Sequence, residues 1–267
     1  MKRALRNIAA LTWAVLACGF SPLWAQAPKV SPKEQQALLA VQVAKTPDDR
    51  IQAIENVLTN FADTQFKVAL LQMAVQSEQQ KNDFAQIVFY SDRLLKADPK
   101  NAFAMVTLAS ETARHTREND LDRDEQLAKV DKWAKDGIDA AKSMPKVAAS
   151  QTDEELDRDR KDMQAQAYVA LGMADVVRKN YDGATASYKQ SLATEATPNA
   201  ATLVRLAQVY LASGKLDNAS DTLDLAINTP DVQPQVKSIA QSLKNDIAKR
   251  KSAAPASPAP PAGSKQP

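Results

Sequence analysis

The chain has 267 residues, 44% hydrophobic and 25% charged, with a formal net charge of +2. So even a balance leaves no basic face for nucleic acid, and six glycines leave little material for Gly-rich phosphate loops or tight strand turns. One His and one Cys cannot supply a multi-ligand His/Cys metal site or an intramolecular disulfide. No alternating Val/Ile/Thr run is bounded by turn signals, so the expected fold class is all-α.

Residues 1–25 have the layout of a secretory signal peptide: a basic start at Lys2, Arg3 and Arg6, an apolar run from Ile8 to Phe20, then a short exit from Pro22 with cleavage expected after Ala25. The run is too short for a membrane span. An alternative is written at Val15-Leu16-Ala17-Cys18, which resembles the lipobox of bacterial lipoproteins, where the cysteine becomes the lipidated first residue. The expected location is therefore exported, periplasmic or secreted, with a membrane-anchored lipoprotein at Cys18 as the alternative. Without residues 1–25 the formal charge is about −1.

Residues 26–250 are expected to form one helical repeat domain. Ser31-Pro32-Lys33-Glu34 and Thr46-Pro47-Asp48-Asp49 read as capped helix starts over 31–62. Residues 66–101 give a clearer pair, with Leu70, Leu71, Ala74 and Val75 on the buried side of the first helix. The second carries Ile87, Leu94 and Leu95 and stops at Asp98-Pro99, and Asn101 is placed to cap the next helix. A third, stretched pair runs through Phe103, Val106 and Leu108, then Leu127, Val130, Ala134, Gly137 and Ile138. Trp133 and Tyr90 read as edge residues beside their stripes. Extra residues fall near 115–124 and 145–164, both highly charged. Asp157–Lys161 in the second supports a solvated extension of the following helix.

Residues 165–199 and 200–231 are two copies of one unit. Tyr168, Leu171, Gly172, Ala184 and Tyr188 in the first are answered by Leu203, Leu206, Ala207, Tyr210, Ala219 and Leu223 in the second, and Ala184 falls on Ala219 at a period of 35. Small residues at Gly172, Ala184, Ala207 and Ala219 let backbones approach. Gly183 and Gly214 fall where helices meet turns, and Pro198 and Pro230 where second helices stop. This pattern resembles the tetratricopeptide repeat (TPR), with Asp175 standing where an aromatic is usual and Ser191 where Ala is usual. The resemblance implies a right-handed superhelical solenoid of antiparallel helix pairs, here about five, and non-catalytic binding of a protein or peptide. Residues 232–250, with Val236, Ile239, Leu243 and Ile247, form the expected capping helix. Residues 251–267 read as a disordered Pro/Ala-rich tail.

His115 lies in a charged insert with no second convergent group, so no catalytic, cofactor or metal residue is expected. By the resemblance, ligands lie on the concave face lined by first helices. Carried over by position, that face offers Phe103 and Val106, then Gln166, Val169, Met173, Val176 and Val177, then Val204, Gln208 and Leu211. A Gln-rich stretch at Gln72, Gln76, Gln79 and Gln80 precedes them. Such a groove suits an amphipathic helix or an apolar extended segment. Cover by the array's own elements, and self-association through the edge of the array, are the alternatives. The expected role is a scaffold or assembly factor of a bacterial envelope, or a chaperone-like carrier of exported chains.

Overall fold

The computed structural model describes residues 30–146, 150–195 and 197–253. The signal-peptide segment 1–25, Cys18 and all of the tail beyond 253 lie outside the described residues. Among the described residues, eleven helices follow in order. They are α1 (Pro32–Val43), α2 (Pro47–Asn60), α3 (Lys67–Lys81), α4 (Phe84–Ala97), α5 (Ala102–His115), α6 (Arg123–Lys142), α7 (Asp153–Val177), α8 (Tyr181–Thr194), α9 (Ala200–Ala212), α10 (Leu216–Asn228) and α11 (Pro234–Ala253).

Most helices begin where the sequence offers a cap. Ser31, Thr46, Asp83, Asn101, Asn180 and Asn199 each accept a hydrogen bond from a backbone N–H of the first turn. Thr152 opens α7 with a full capping box: its hydroxyl accepts from the Glu155 amide, and the Glu155 carboxylate accepts from the Thr152 amide. Consecutive helices pack as pairs, α1 with α2 through α9 with α10, and each pair rests on the next. The fold is an α solenoid of five pairs closed by α11.

The extra residues of the middle pairs are divided between several elements. Residues 116–122 form a loop, α6 is drawn out to 20 residues, and α7 to 25. The Asp157–Lys161 pair forms at 2.7 Å on the α7 extension. Leu156 is buried there and Arg160 donates to the Met144 carbonyl, so the extension is tied to the body on one face.

The core divides along the array. Val41, Ile54, Val57, Leu71, Tyr90 and Leu94 belong to an N-terminal cluster. Val106, Leu127, Val130, Ile138 and Ala170 belong to a middle one. Tyr188, Leu203, Leu206, Leu223 and Ile247 belong to a C-terminal one. Tyr90 is therefore a core residue, 4% exposed, and not the edge residue its place beside the stripe suggests. Its ring meets Phe89 edge-on and lies under the Arg93 guanidinium, and burial pushes its hydroxyl up to about 12. Trp133 is half-buried against the middle cluster.

Two glycines act for different reasons. Gly214, at φ 75°, ends α9 with the Lys215 amide bonded back to the Tyr210 carbonyl at 2.8 Å. Gly183 stands in the first turn of α8, where the helix leaves the turn, and its amide donates to the Asn180 cap. A Cβ there would collide with Asn180 Nδ2 and stand 2.7 Å from Asp175 Oδ2. Gly183 thus leaves room for the Asn180–Asp175 hydrogen bond of 3.0 Å. Asp175 also faces Arg178, which reaches Asp131 of α6 with two bonds of 2.8 and 3.2 Å. The Asp in the usual aromatic place thereby ties the α7–α8 turn to the preceding pair.

The left-handed position of Gly214 is held by Lys179, φ 61°, at the end of α7 and by Asn82, φ 56°, at the end of α3. A side chain with a Cβ is strained there. Lys179→Gly is expected to raise Tm by about 2–4 °C, because the exposed ion pair it gives up with Glu118 is worth little. A lowered Tm in a thermal scan would show that the pair with Glu118 outweighs the strain.

Candidate functional site

First helices α3, α5, α7 and α9 present the candidate face. Along α7, Val169, Met173 and Val176 recur at helical spacing and share one stripe. Val169 and Met173 are half-buried against the C-terminal cluster, and Val177 is half-buried against the middle one. Met173 touches both clusters and so fills the seam between neighbouring pairs. Val176 is 39% exposed and Gln166 lies open to solvent. On α9, Gln208 is exposed and Leu211 half-buried. Phe103 of α5 is half-buried against the N-terminal cluster.

Two of the sequence-derived positions do not line this face. Val106 is 1% exposed and Val204 6%. Val106 is buried because Gly137 lets α6 come close: a Cβ at 137 would lie 2.8 Å from Val106 Cγ2. Val204 is buried because α9 is apolar on almost every side and is covered by α8, α10 and α11. Both are packing residues. The open part of the face is Gln166, Val176 and Gln208, with half-buried Val169, Met173 and Leu211 as its floor.

Charge adjoins the open residues: Asp162 precedes Gln166 by one turn of α7, and Arg205 precedes Gln208 by one turn of α9. Burial, together with its neighbour Asp159, raises the Asp162 carboxyl above its ordinary range. Burial and the proximity of Asp162 do the same for Glu195 at the end of α8. Burial pushes the Tyr188 hydroxyl up to about 12, opposed by Arg205. His115 is stacked on Phe84 with ring centroids 4.1 Å apart, and its Nδ1 lies 2.9 Å from the Glu111 carbonyl. These contacts hold the ring, itself 41% exposed, where α4 meets the end of α5. Among the described residues no group of three or more His, Cys, Asp or Glu is placed to hold a metal ion, and no helix is long and apolar enough to cross a membrane.

Sequence periodicity missed two exposed features. Leu39 and Val43 of α1 are 55% and 64% exposed on the outer edge of the first pair. Phe89 of α4, 50% exposed, lies under Arg93 at 5.3 Å, and Arg93 also pairs with Glu55. For the first, the available signal was that the apolar residues of α1 are spread around the helix and form no clear stripe.

Comparison with known proteins agrees with this architecture. The tetratricopeptide repeat profile matches residues 178–243, from the end of α7 into α11. The crystal structure of a thermophilic TPR protein from Thermus thermophilus is similar at a TM-score of 0.55 and 19% identity. That likeness covers 78% of this chain and 97% of the other. No curated protein matches the sequence. The repeat profile thus matches residues 178–243, inside a solenoid of paired helices that runs through 32–253 and shares its fold with a TPR protein.

Proposed function

We propose that the protein is a non-catalytic scaffold or assembly factor of a bacterial cell envelope that binds a protein or peptide along its concave face. The carrying observation is the uncharged strip of Gln166, Val176 and Gln208 over a floor of Val169, Met173 and Leu211. An apolar floor with amide groups at its rim fits an apolar side-chain row on a segment whose backbone still needs hydrogen-bond partners. Helix-pair repeats generally serve as protein-binding surfaces, which supports the reading. Export rests on residues 1–25, and membrane attachment on Cys18. Intact mass of the chain recovered from its native source distinguishes a start at Gln26 from a lipid-modified start at Cys18.

Val169 and Met173 touch the core, so substitutions there disturb the fold as well as the face. The cleaner test is Val176→Asp combined with Gln208→Asp, at exposed positions. The variant is expected to recover its native-source partner at least tenfold less well, with helical content and Tm unchanged. Undiminished recovery would move binding off this face.

A second reading, self-association through the array's edge, is favoured by the exposed Leu39 and Val43. Concentration-dependent mass of the purified protein tests it, with Val43→Asp expected to abolish any dimer formed there.

A further inference from the structure

Helix α1 exposes a face with no charge in its middle. From Gln35 to Ala44 it carries no Asp, Glu, Lys or Arg, in a chain of which 25% is charged. Helix α9 is comparable, with Arg205 as its one charge, and it is covered by α8, α10 and α11. Helix α1 rests on α2, and its far side is open. Lys33, Gln36, Leu39, Ala40 and Val43 are all exposed there and recur at steps of three or four, so they form one stripe. Beside it Ala40, Val43 and Ala53 line a shallow groove between α1 and α2, with Asp49 and Gln52 on the α2 side.

The charges at the two ends of the stripe select its occupant. Lys33 stands at one end, and Asp49 stands on the groove wall beside Val43 at the other. The adjacent Asp48 pairs with Lys81 at 2.8 Å, but neither Lys33 nor Asp49 has an ion-pair partner among the described residues. A second copy turned end for end complements this pattern. With the two-fold axis between Leu39 and Ala40, Gln36 faces the second copy's Val43. Lys33, about 10 Å along the helix from that axis, is level with the second copy's Thr46, which caps the turn bearing Asp49. Lys45 is level with the second copy's Glu34, whose carboxylate is held by Thr64. A parallel arrangement would set Lys33 on Lys33 and Asp49 on Asp49, which like charges oppose.

We propose that α1 and the α1–α2 groove form a two-fold interface between two copies of this chain. Leu39, Ala40 and Val43 lie at its centre, with a Lys33–Asp49 ion pair between the copies at each end. This rests on the reading of self-association through the array's edge and adds its orientation, register and ion pairs. An interface in which each residue meets its counterpart in this way closes at two copies and does not grow into a filament. One helix pair per partner is a small contact area, so the dimer is weak, dissociates in the micromolar range and loosens with salt. None of the candidate residues of α7 and α9 belongs to α1 or α2. The dimer therefore carries that face twice and binds a bivalent partner more tightly than the monomer does.

The test uses the full chain produced in its native source, so that its own processing is kept. Sedimentation equilibrium is expected to show monomer and dimer and nothing larger. Lys33→Asp and Asp49→Lys are each expected to weaken the dimer by about fivefold or more, because every substitution recurs across the axis. The two together are expected to restore the original affinity, with helical content unchanged throughout. In a mixture of isotopically light and heavy chains, a carbodiimide is expected to link Lys33 of one to Asp49 of the other. Additive weakening in the double variant, or a dimer without the mixed link, would overturn the proposed pairing; edge association would still stand where Val43→Asp abolishes the dimer. A chain that stays monomeric, or a dimer that Val43→Asp leaves intact, would overturn both.

Discussion

Gly172→Ala is expected to destabilise the protein by about 2 kcal/mol, the reverse of what helix propensity alone dictates. Gly172 lies inside α7, where Ala is preferred to Gly by about 1 kcal/mol. A Cβ at 172, however, would stand 2.5 Å from Cε1, 2.7 Å from Cδ1 and 2.9 Å from Cζ of the Tyr188 ring. Tyr188 is 2% exposed and wedged between α7 and α9, so the ring has nowhere to go. Overpacking of this kind costs about 1–3 kcal/mol and here means moving α8 off α7. The decisive measurement is a double-mutant cycle with Tyr188→Leu, read by thermal or urea unfolding. In the Tyr188→Leu background, Gly172→Ala is expected to be neutral or stabilising, giving a coupling of about 2 kcal/mol. Equal effects in both backgrounds would mean that the ring does not hold the two helices at that distance.

The same pair shows why so much of the fold was legible. Gly172 and Tyr188, sixteen positions apart, are a small-to-large match that stacking helices must make, and Ala207 with Leu223 repeat it 35 residues on. Local caps such as Thr46 and Asn101 were also readable, because a cap depends on its next three residues only. What escaped depends on groups distant in the chain. Gly183 was placed where a helix meets a turn, and it does lie in the first turn of α8, but what requires glycine there was not visible. Its real constraint is Asp175, eight residues earlier and on another helix. Tyr90 looked peripheral because a single-helix stripe does not show that Glu55 and Arg93 gather over its ring.

The candidate face was legible in its helices and only partly in its residues. Carry-over by position picks the side of a helix that faces inward in an average repeat. Val106 and Val204 left that side because their own neighbours came close: Gly137 draws α6 in on one, and α11 adds cover around the helix that bears the other. Gln166, Val176 and Gln208 stayed open because nothing among the described residues packs over them. Polar Gln at two of these three positions was itself a sequence-level mark of solvent exposure.

Leu94→Ala is expected to cost about 3 kcal/mol and to unfold the array from one end. Leu94 is fully buried in the N-terminal cluster with Ile54, Val57 and Leu71, and shortening it leaves a cavity between α2, α3 and α4. In a solenoid each pair leans only on its neighbours, so lost stability is not shared evenly. The core is segmented accordingly, the N-terminal cluster ending at Ala104 and the C-terminal one beginning on the far side of α7. Amide hydrogen exchange of the variant should therefore show protection falling through α1 to α4, by tenfold or more, while α8 to α10 keep theirs. The long, heavily contacted α5–α6 and α7 segment sets the boundary, because α7 rests on both α5 and α6 and carries Met173 across the next seam. Uniform acceleration of exchange across all eleven helices would overturn this picture and make the array one cooperative unit. The distinction bears on function. If the N-terminal pairs open on their own, Leu39 and Val43 sit on the least stable edge of the molecule, while the candidate residues of α7 and α9 stay on its most stable part.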